Sequence, residues 1–292
     1  MTLDDHPVWL YDGQMETRIQ FGTKLKVDPE MCIFTLVDVP EGRAALQALY
    51  ARDARAADGF PIVLNAPVYR CSPAHLERLG FADDDLVRFN RACLDLVREV
   101  APPTALITAP IGPRYASYRP DRQSTLKQAV AYHTPQMEAV AGWGVELISI
   151  AAMHGGVETV GAATAAARTG VPYTVGFVLN ADGTMLDGTP CRSLIAEIDA
   201  SVSPRPEFYV IGCTHPSVCA EVLARGGLER VQGVKANGSS KPPSELLALD
   251  HAEADPPDEF AQALLALGDF RLYGGCCGTD TALIECLRRR LG

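Results

Sequence analysis

Near its C-terminus the chain reads Gly274-Gly275-Cys276-Cys277-Gly278-Thr279, and a third cysteine, Cys213, ends the step Tyr209-Val210-Ile211-Gly212-Cys213. Two adjacent cysteines in a glycine-rich turn pack awkwardly as ordinary core, but they can present two thiolates to one metal ion. Three thiolates leave one position of a tetrahedral Zn2+ open, the arrangement of a catalytic site rather than a closed structural one. A free thiol, with a pKa of ~8.5, is mostly protonated at neutral pH. Coordination to Zn2+ deprotonates it. A thiol from solution held at the open position would then be a nucleophile toward a methyl group on a sulfonium or quaternary nitrogen. The competing reading makes Cys276 and Cys277 a buried pair and Cys213 an unrelated core thiol. The flanking glycines, which allow sharp turns, favour the metal site. A structural four-cysteine zinc site is disfavoured, because the chain has no Cys-x2-Cys pair.

The other cysteines, Cys32, Cys71, Cys93, Cys191, Cys219 and Cys286, read as small core residues. The count of nine is odd, and the acidic, polar N-terminus is unlike a secretory signal. Both features point to the cytoplasm, where cysteines are buried, metal-bound or reactive rather than disulfide-linked. A formal net charge of −10 argues against a nucleic-acid partner, which would require a basic stripe. No apolar run reaches the length of a membrane span. The expected partners are therefore small molecules, and nothing in these features fixes an oligomeric state.

Eight short apolar runs can serve as strands: residues 8–11, 62–66, 105–109, 147–151, 173–178, 208–212, 231–236 and 270–274. Stretches of helical period separate them, among them 84–100, 125–143, 156–169, 192–201, 216–225, 243–249 and 259–267. Buried strands alternating with helices imply parallel βαβ units. Eight units in 292 residues, 47% of them hydrophobic, fit a single-domain (β/α)8 barrel over residues 1–292. An open doubly wound sheet is the alternative, but no Gly-x-Gly-x-x-Gly turn follows the first strand. Residues 21–40 show no single period. In a barrel the working groups lie at the C-terminal strand ends, which is where Asp12, Cys213, Cys276 and Cys277 fall.

In this order the motifs resemble the homocysteine S-methyltransferase family, zinc-dependent thiol methyltransferases on a (β/α)8 barrel. Tyr11-Asp12-Gly13-Gln14-Met15-Glu16-Thr17 is similar to the family's Asp-Gly-Gly-Met-Gly-Thr opening, and Ile111-Gly112-Pro113 to its Ile-Gly-Pro step. Asp182 to Thr189 is similar to its Asp-Gly-Thr loop, and the two cysteine turns to its zinc-ligand motifs. The resemblance implies zinc on Cys213, Cys276 and Cys277. It places Asp12 beside the substrate as a catalytic and binding residue, with Gly13 as its backbone neighbour. It also implies homocysteine as the default acceptor, and the short chain suggests S-methylmethionine or S-adenosylmethionine as donor.

The chain departs from the family at the pocket. Ala151-Ala152-Met153-His154 stands where members carry the glutamate that binds the amino group of homocysteine. Arg70 replaces a glutamine, Gly212 an asparagine, and Gln14 and Glu16 replace glycines. Glu158 matches a second, helical glutamate. These changes lead to the expectation of a changed acceptor, one lacking an α-amino group or carrying an acid that Arg70 binds bidentately. The alternative for Arg70 is a surface loop residue. His154, in the altered segment, is a candidate substrate-binding residue, and His215 a second candidate shuttle or ligand. Tyr69, Tyr115, Tyr118 and Tyr132 are candidate walls for a cationic donor. Other readings keep the chemistry on a different thiol or donor in a demethylation role, or make the barrel a zinc- or thiol-binding protein without turnover. A cysteine-nucleophile enzyme that survives chelation is a further alternative.

Overall fold

The computed structural model describes residues 1–115, 118–246 and 249–292. Its strands are β1 (Trp9–Tyr11), β2 (Ile62–Asn65), β3 (Ala105–Ile111), β4 (Leu147–Met153), β5 (Tyr173–Phe177), β6 (Tyr209–Gly212), β7 (Val231–Ala236) and β8 (Leu272–Gly275). Each pairs in parallel with the next, and β8 closes on β1, giving a (β/α)8 barrel. The helices are α1 (Met15–Gly22), α2 (Pro40–Ala57), α3 (Pro73–Leu79), α4 (Asp85–Arg98), α5 (Leu126–Gly142), α6 (Gly156–Ala167), α7 (Cys191–Ser201), α8 (Pro216–Leu223), α9 (Pro243–Leu246), α10 (Pro257–Leu265) and α11 (Thr281–Leu291).

The strand runs expected from sequence match these to within two residues. Strands β3 and β4 run on to Ile111 and Met153, and β8 starts later, at Leu272. Of the expected helix 243–249, α9 occupies the first turn, and residues 247–248 lie outside the described residues. Helix α2 is alanine- and arginine-rich, so its buried face, Leu46, Tyr50 and Asp53, is sparse and its period faint. The aperiodic segment 21–40 holds a buried 3-10 turn, Ile33–Asp38, whose side chains join the core outside the barrel.

Alternation along the strands explains the interior. Trp9, Tyr11, Val63, Leu106, Leu147, Phe208, Val210 and Leu272 form one apolar cluster inside the barrel. Two residues further along each strand, the same parity delivers Asn65, Ser149, Gly212 and Gly274 to the next layer. Lys235 of β7 is in register with Gly212 on one side and Gly274 on the other. Glycines on both neighbouring strands leave room for a lysine side chain inside a barrel that is otherwise filled. The interior thus changes from apolar to polar toward the C-terminal strand ends. Among the described residues no helix is long and apolar enough to cross a membrane.

Candidate active site

Strand β7 brings the distant cysteines together. Cys213 N, at the end of β6, donates to Lys235 O at 2.9 Å, and Cys276 N, after β8, donates to Ala236 O at 2.6 Å. Successive carbonyls of one central strand therefore place both turns at the same height. Cys213 lies in the left-handed region at φ +46, which costs a side-chain-bearing residue about 1–2 kcal/mol. That conformation ends β6 abruptly at the barrel mouth. The Cys276-Cys277 turn is closed by Thr279, whose hydroxyl donates to Cys276 O at 2.7 Å. Gly278 follows at φ +83, where a Cβ would collide with Glu253 O.

The three sulfurs of Cys213, Cys276 and Cys277 lie within 4.8 Å of one another. This is the donor set expected from sequence: soft thiolates, few enough to leave a fourth position on a tetrahedral ion. Burial pushes the Cys277 thiol up to about 11, aided by the Glu16 carboxylate, a penalty that a divalent cation would reverse. One difference from the sequence reading is that Cys213 and Cys276 are joined as a disulfide, with Cα atoms 5.5 Å apart. Two sulfurs aimed at one point can bond to each other or share a metal, and the two states exclude one another. The six remaining cysteines are buried.

The cysteines open onto a cavity of about 490 Å3 lined by residues from β1, α1 and most of the βα loops. Asp12 is fully buried there. Its Oδ2 accepts from Asn65 N at 2.8 Å, and its Oδ1 accepts from Asn65 Nδ2 at 2.5 Å and from Lys235 Nζ at 3.4 Å. Desolvation raises its pKa against the pull of Lys235 and Asn65. Gly13 packs tightly, since a Cβ there would lie 3.0 Å from Arg18 Nη1.

Arg70 is not a surface residue: it is 3% exposed and lines the cavity. Its Nη1 donates to Pro113 O and Tyr115 O at 3.0 and 3.1 Å, and its guanidinium lies 4.7 Å from the Tyr69 ring centre. The Ile111-Gly112-Pro113 step holds this arrangement, because Gly112 N donates to Tyr69 O at 3.1 Å and a Cβ at Gly112 would strike the Tyr69 ring. His154 also lines the cavity. Its Nε2 accepts from Tyr118 N at 3.2 Å, leaving the proton on a buried Nδ1 without a partner among the described residues. Burial, then Arg70, pushes its pKa down to about 4, so it is neutral at neutral pH.

Other candidates separate. His215 turns away, capping α8 through Ser217 N and bonding Asp255 Oδ2 at 3.0 Å. Glu158 is tied to Arg114 N and His133 outside the cavity. Asp187 of the Asp-Gly-Thr loop accepts from Gly156 N at the start of α6. Tyr69 and Tyr118 face the cavity, whereas Tyr115 is exposed and Tyr132 bonds Ser72. Lys235 was not anticipated, although a lysine in the apolar run of residues 231–236 was a visible signal. Glu16, noted only as a replaced glycine, proves to be a buried carboxylate in the cavity wall.

A family model described as homocysteine S-methyltransferase matches residues 9–291. Among solved structures, the chain is similar to the homocysteine methyltransferase MmuM from Escherichia coli. To the metallated form it is 22% identical, covering 99% of this chain and 98% of that one, with a TM-score of 0.79. To the oxidized form it is 20% identical, covering 99% and 97%, with a TM-score of 0.80. At these identities the likeness shows a shared fold. No curated protein sequence matched. The family match over nearly the whole chain, on a closed (β/α)8 barrel with three cysteines gathered at its mouth, establishes that this methyltransferase belongs to the homocysteine S-methyltransferase family.

Proposed function

We propose that the barrel transfers a methyl group from a sulfonium donor, S-methylmethionine or S-adenosylmethionine, to a thiol, with homocysteine as default acceptor and methionine as product. The observation that carries this reading is the convergence of Cys213, Cys276 and Cys277 on one point of a cavity large enough for two small molecules. These three residues would hold a Zn2+ ion, which when bound keeps an acceptor thiol in its thiolate form at neutral pH.

The cavity's own residues suit the rest of the reaction. Methyl transfer makes one C–S bond and breaks another, and the donor departs as a neutral thioether. No proton has to reach the leaving group, so no general acid is needed. His154, neutral at physiological pH, adds no positive charge to repel a cationic donor. Tyr118 lines the cavity and offers an aromatic ring to a sulfonium, whereas the Tyr69 ring already carries the Arg70 guanidinium. Asp12, bound by Asn65 and Lys235, ties β1 to β2 and β7 and so fixes the wall below the cysteines.

The test is anaerobic transfer of labelled methyl from S-methylmethionine, and separately from S-adenosylmethionine, to homocysteine by reduced, zinc-loaded protein. Labelled methionine is expected, with its formation lost in Cys276→Ala. No product from either donor, with zinc verified in the same sample, would move the reading to another thiol or donor.

A further inference from the structure

Of the charged side chains lining the cavity, Asp12, Glu16, Arg70 and Lys235 are the most buried. Two of them satisfy each other. Lys235 Nζ is 3.4 Å from Asp12 Oδ1 and 4.6 Å from the Tyr11 ring centre, and both Asp12 oxygens already accept from Asn65. Little of that carboxylate remains for a ligand.

The other two make no ion pair among the described residues. Arg70, 3% exposed, donates through Nη1 to two backbone carbonyls; its Nη2 and Nε have no acceptor, and no carboxylate lies within 4.0 Å of it, among the described residues. Glu16, 6% exposed, accepts from Gln14 Nε2 at 2.5 Å through Oε2 and from its own backbone amide; Lys235 and Arg70 act on it only from a distance, with no cation within 4.0 Å among the described residues. A buried charge without an ion-pair partner is costly, and two of opposite sign in one cavity would ordinarily collapse onto each other. Here they are held apart. Arg70 is clamped by Pro113 O and Tyr115 O and stacked on Tyr69, while Glu16 is fixed in the first turn of α1. The group that completes both carries one negative and one positive charge.

We propose that Arg70 and Glu16 form the specificity subsite for the acceptor, Arg70 taking the carboxylate and Glu16 the ammonium of a zwitterionic amino-acid thiol. This rests on the reading of the cavity as the acceptor site. It replaces the expectation, drawn from Ala151 alone, that the acceptor lacks an amino group. The cation and anion binders stand on α1 and on the loop after β2, and β4 need supply neither.

Three thiols separate the terms: homocysteine, 4-mercaptobutyrate, which lacks the amine, and 3-mercaptopropylamine, which lacks the acid. Their affinities for the reduced, zinc-loaded protein are measured by calorimetry without donor. Homocysteine is expected to bind roughly ten- to a hundredfold tighter than either analogue. Glu16→Gln should abolish its advantage over 4-mercaptobutyrate and spare that over 3-mercaptopropylamine, and Arg70→Met should do the reverse. The proposal is overturned if 4-mercaptobutyrate binds the wild type as tightly as homocysteine, or if Glu16→Gln leaves their ratio unchanged. These two measurements decide the matter even if Arg70→Met does not fold. If none of the three binds, the acceptor-site reading falls and the inference with it; if all bind alike, only the inference falls.

Discussion

At the scale of single residues, the cysteines divide by surroundings. Burial pushes the thiols of Cys32, Cys191 and Cys219 up to about 12, well outside the reactive range. Cys213, Cys276 and Cys277 differ from these in access, since they line the cavity, so iodoacetamide at alkaline pH should label them in the native, reduced, metal-free protein before the core cysteines, and zinc should protect those three; labelling of the core cysteines at a comparable rate would contradict the assignment. Glu16 makes a second prediction. Desolvation raises its pKa, so between the unfolded value, about 4.3, and the folded one the native state holds a proton that the unfolded chain has released. Stability is lost as pH rises through that window, and the penalty persists above it. Glu16→Gln should melt higher than wild type at pH 7, with the gap closing below pH 4. A lower melting temperature at pH 7 would show that the carboxylate is structurally supported. The cysteines were legible in the sequence because a Cys-Cys step between glycines has few other uses. Glu16 and Lys235 were not, because a charged residue on a helix or strand reads as a solvated face until barrel closure turns it inward.

At the scale of elements, β7 acts as the splint of the site. Its carbonyls at Lys235 and Ala236 receive the amides of Cys213 and Cys276, and Gly238 N donates to Cys277 O at 2.9 Å. The turn geometry should then govern the metal. Gly278→Ala combines a left-handed backbone with a collision against Glu253 O, and is expected to weaken zinc binding by about tenfold or more while far-UV circular dichroism stays unchanged. Unaltered zinc affinity would mean that the turn is soft. The strands were readable because strands buried on both faces appear as short apolar runs. Helices α1, α2 and α3 were not picked out, and the segment 21–40 gave no period because its 3-10 turn buries Ile33, Phe34, Leu36 and Val37 without helical spacing. The loop that buries Arg70 was equally hidden, since its placement depends on carbonyls more than forty residues away.

At the scale of the whole molecule, a closed barrel gathers residues from positions 12 to 277 around one mouth, and the same three cysteines can be a metal site or contain a disulfide. Oxidation should therefore release zinc from a reduced, loaded sample, with Cys213–Cys276 appearing in a non-reducing peptide map and a reductant restoring the metal. Retention of zinc after that disulfide has formed would exclude Cys213 or Cys276 as a ligand. The most direct measurement of the central claim is zinc-edge X-ray absorption on the reduced protein with and without homocysteine. The account expects three sulfurs at about 2.3 Å plus one lighter atom at rest, and four sulfurs once the thiol is added. Two sulfurs at rest, or no new sulfur with saturating thiol, would contradict it.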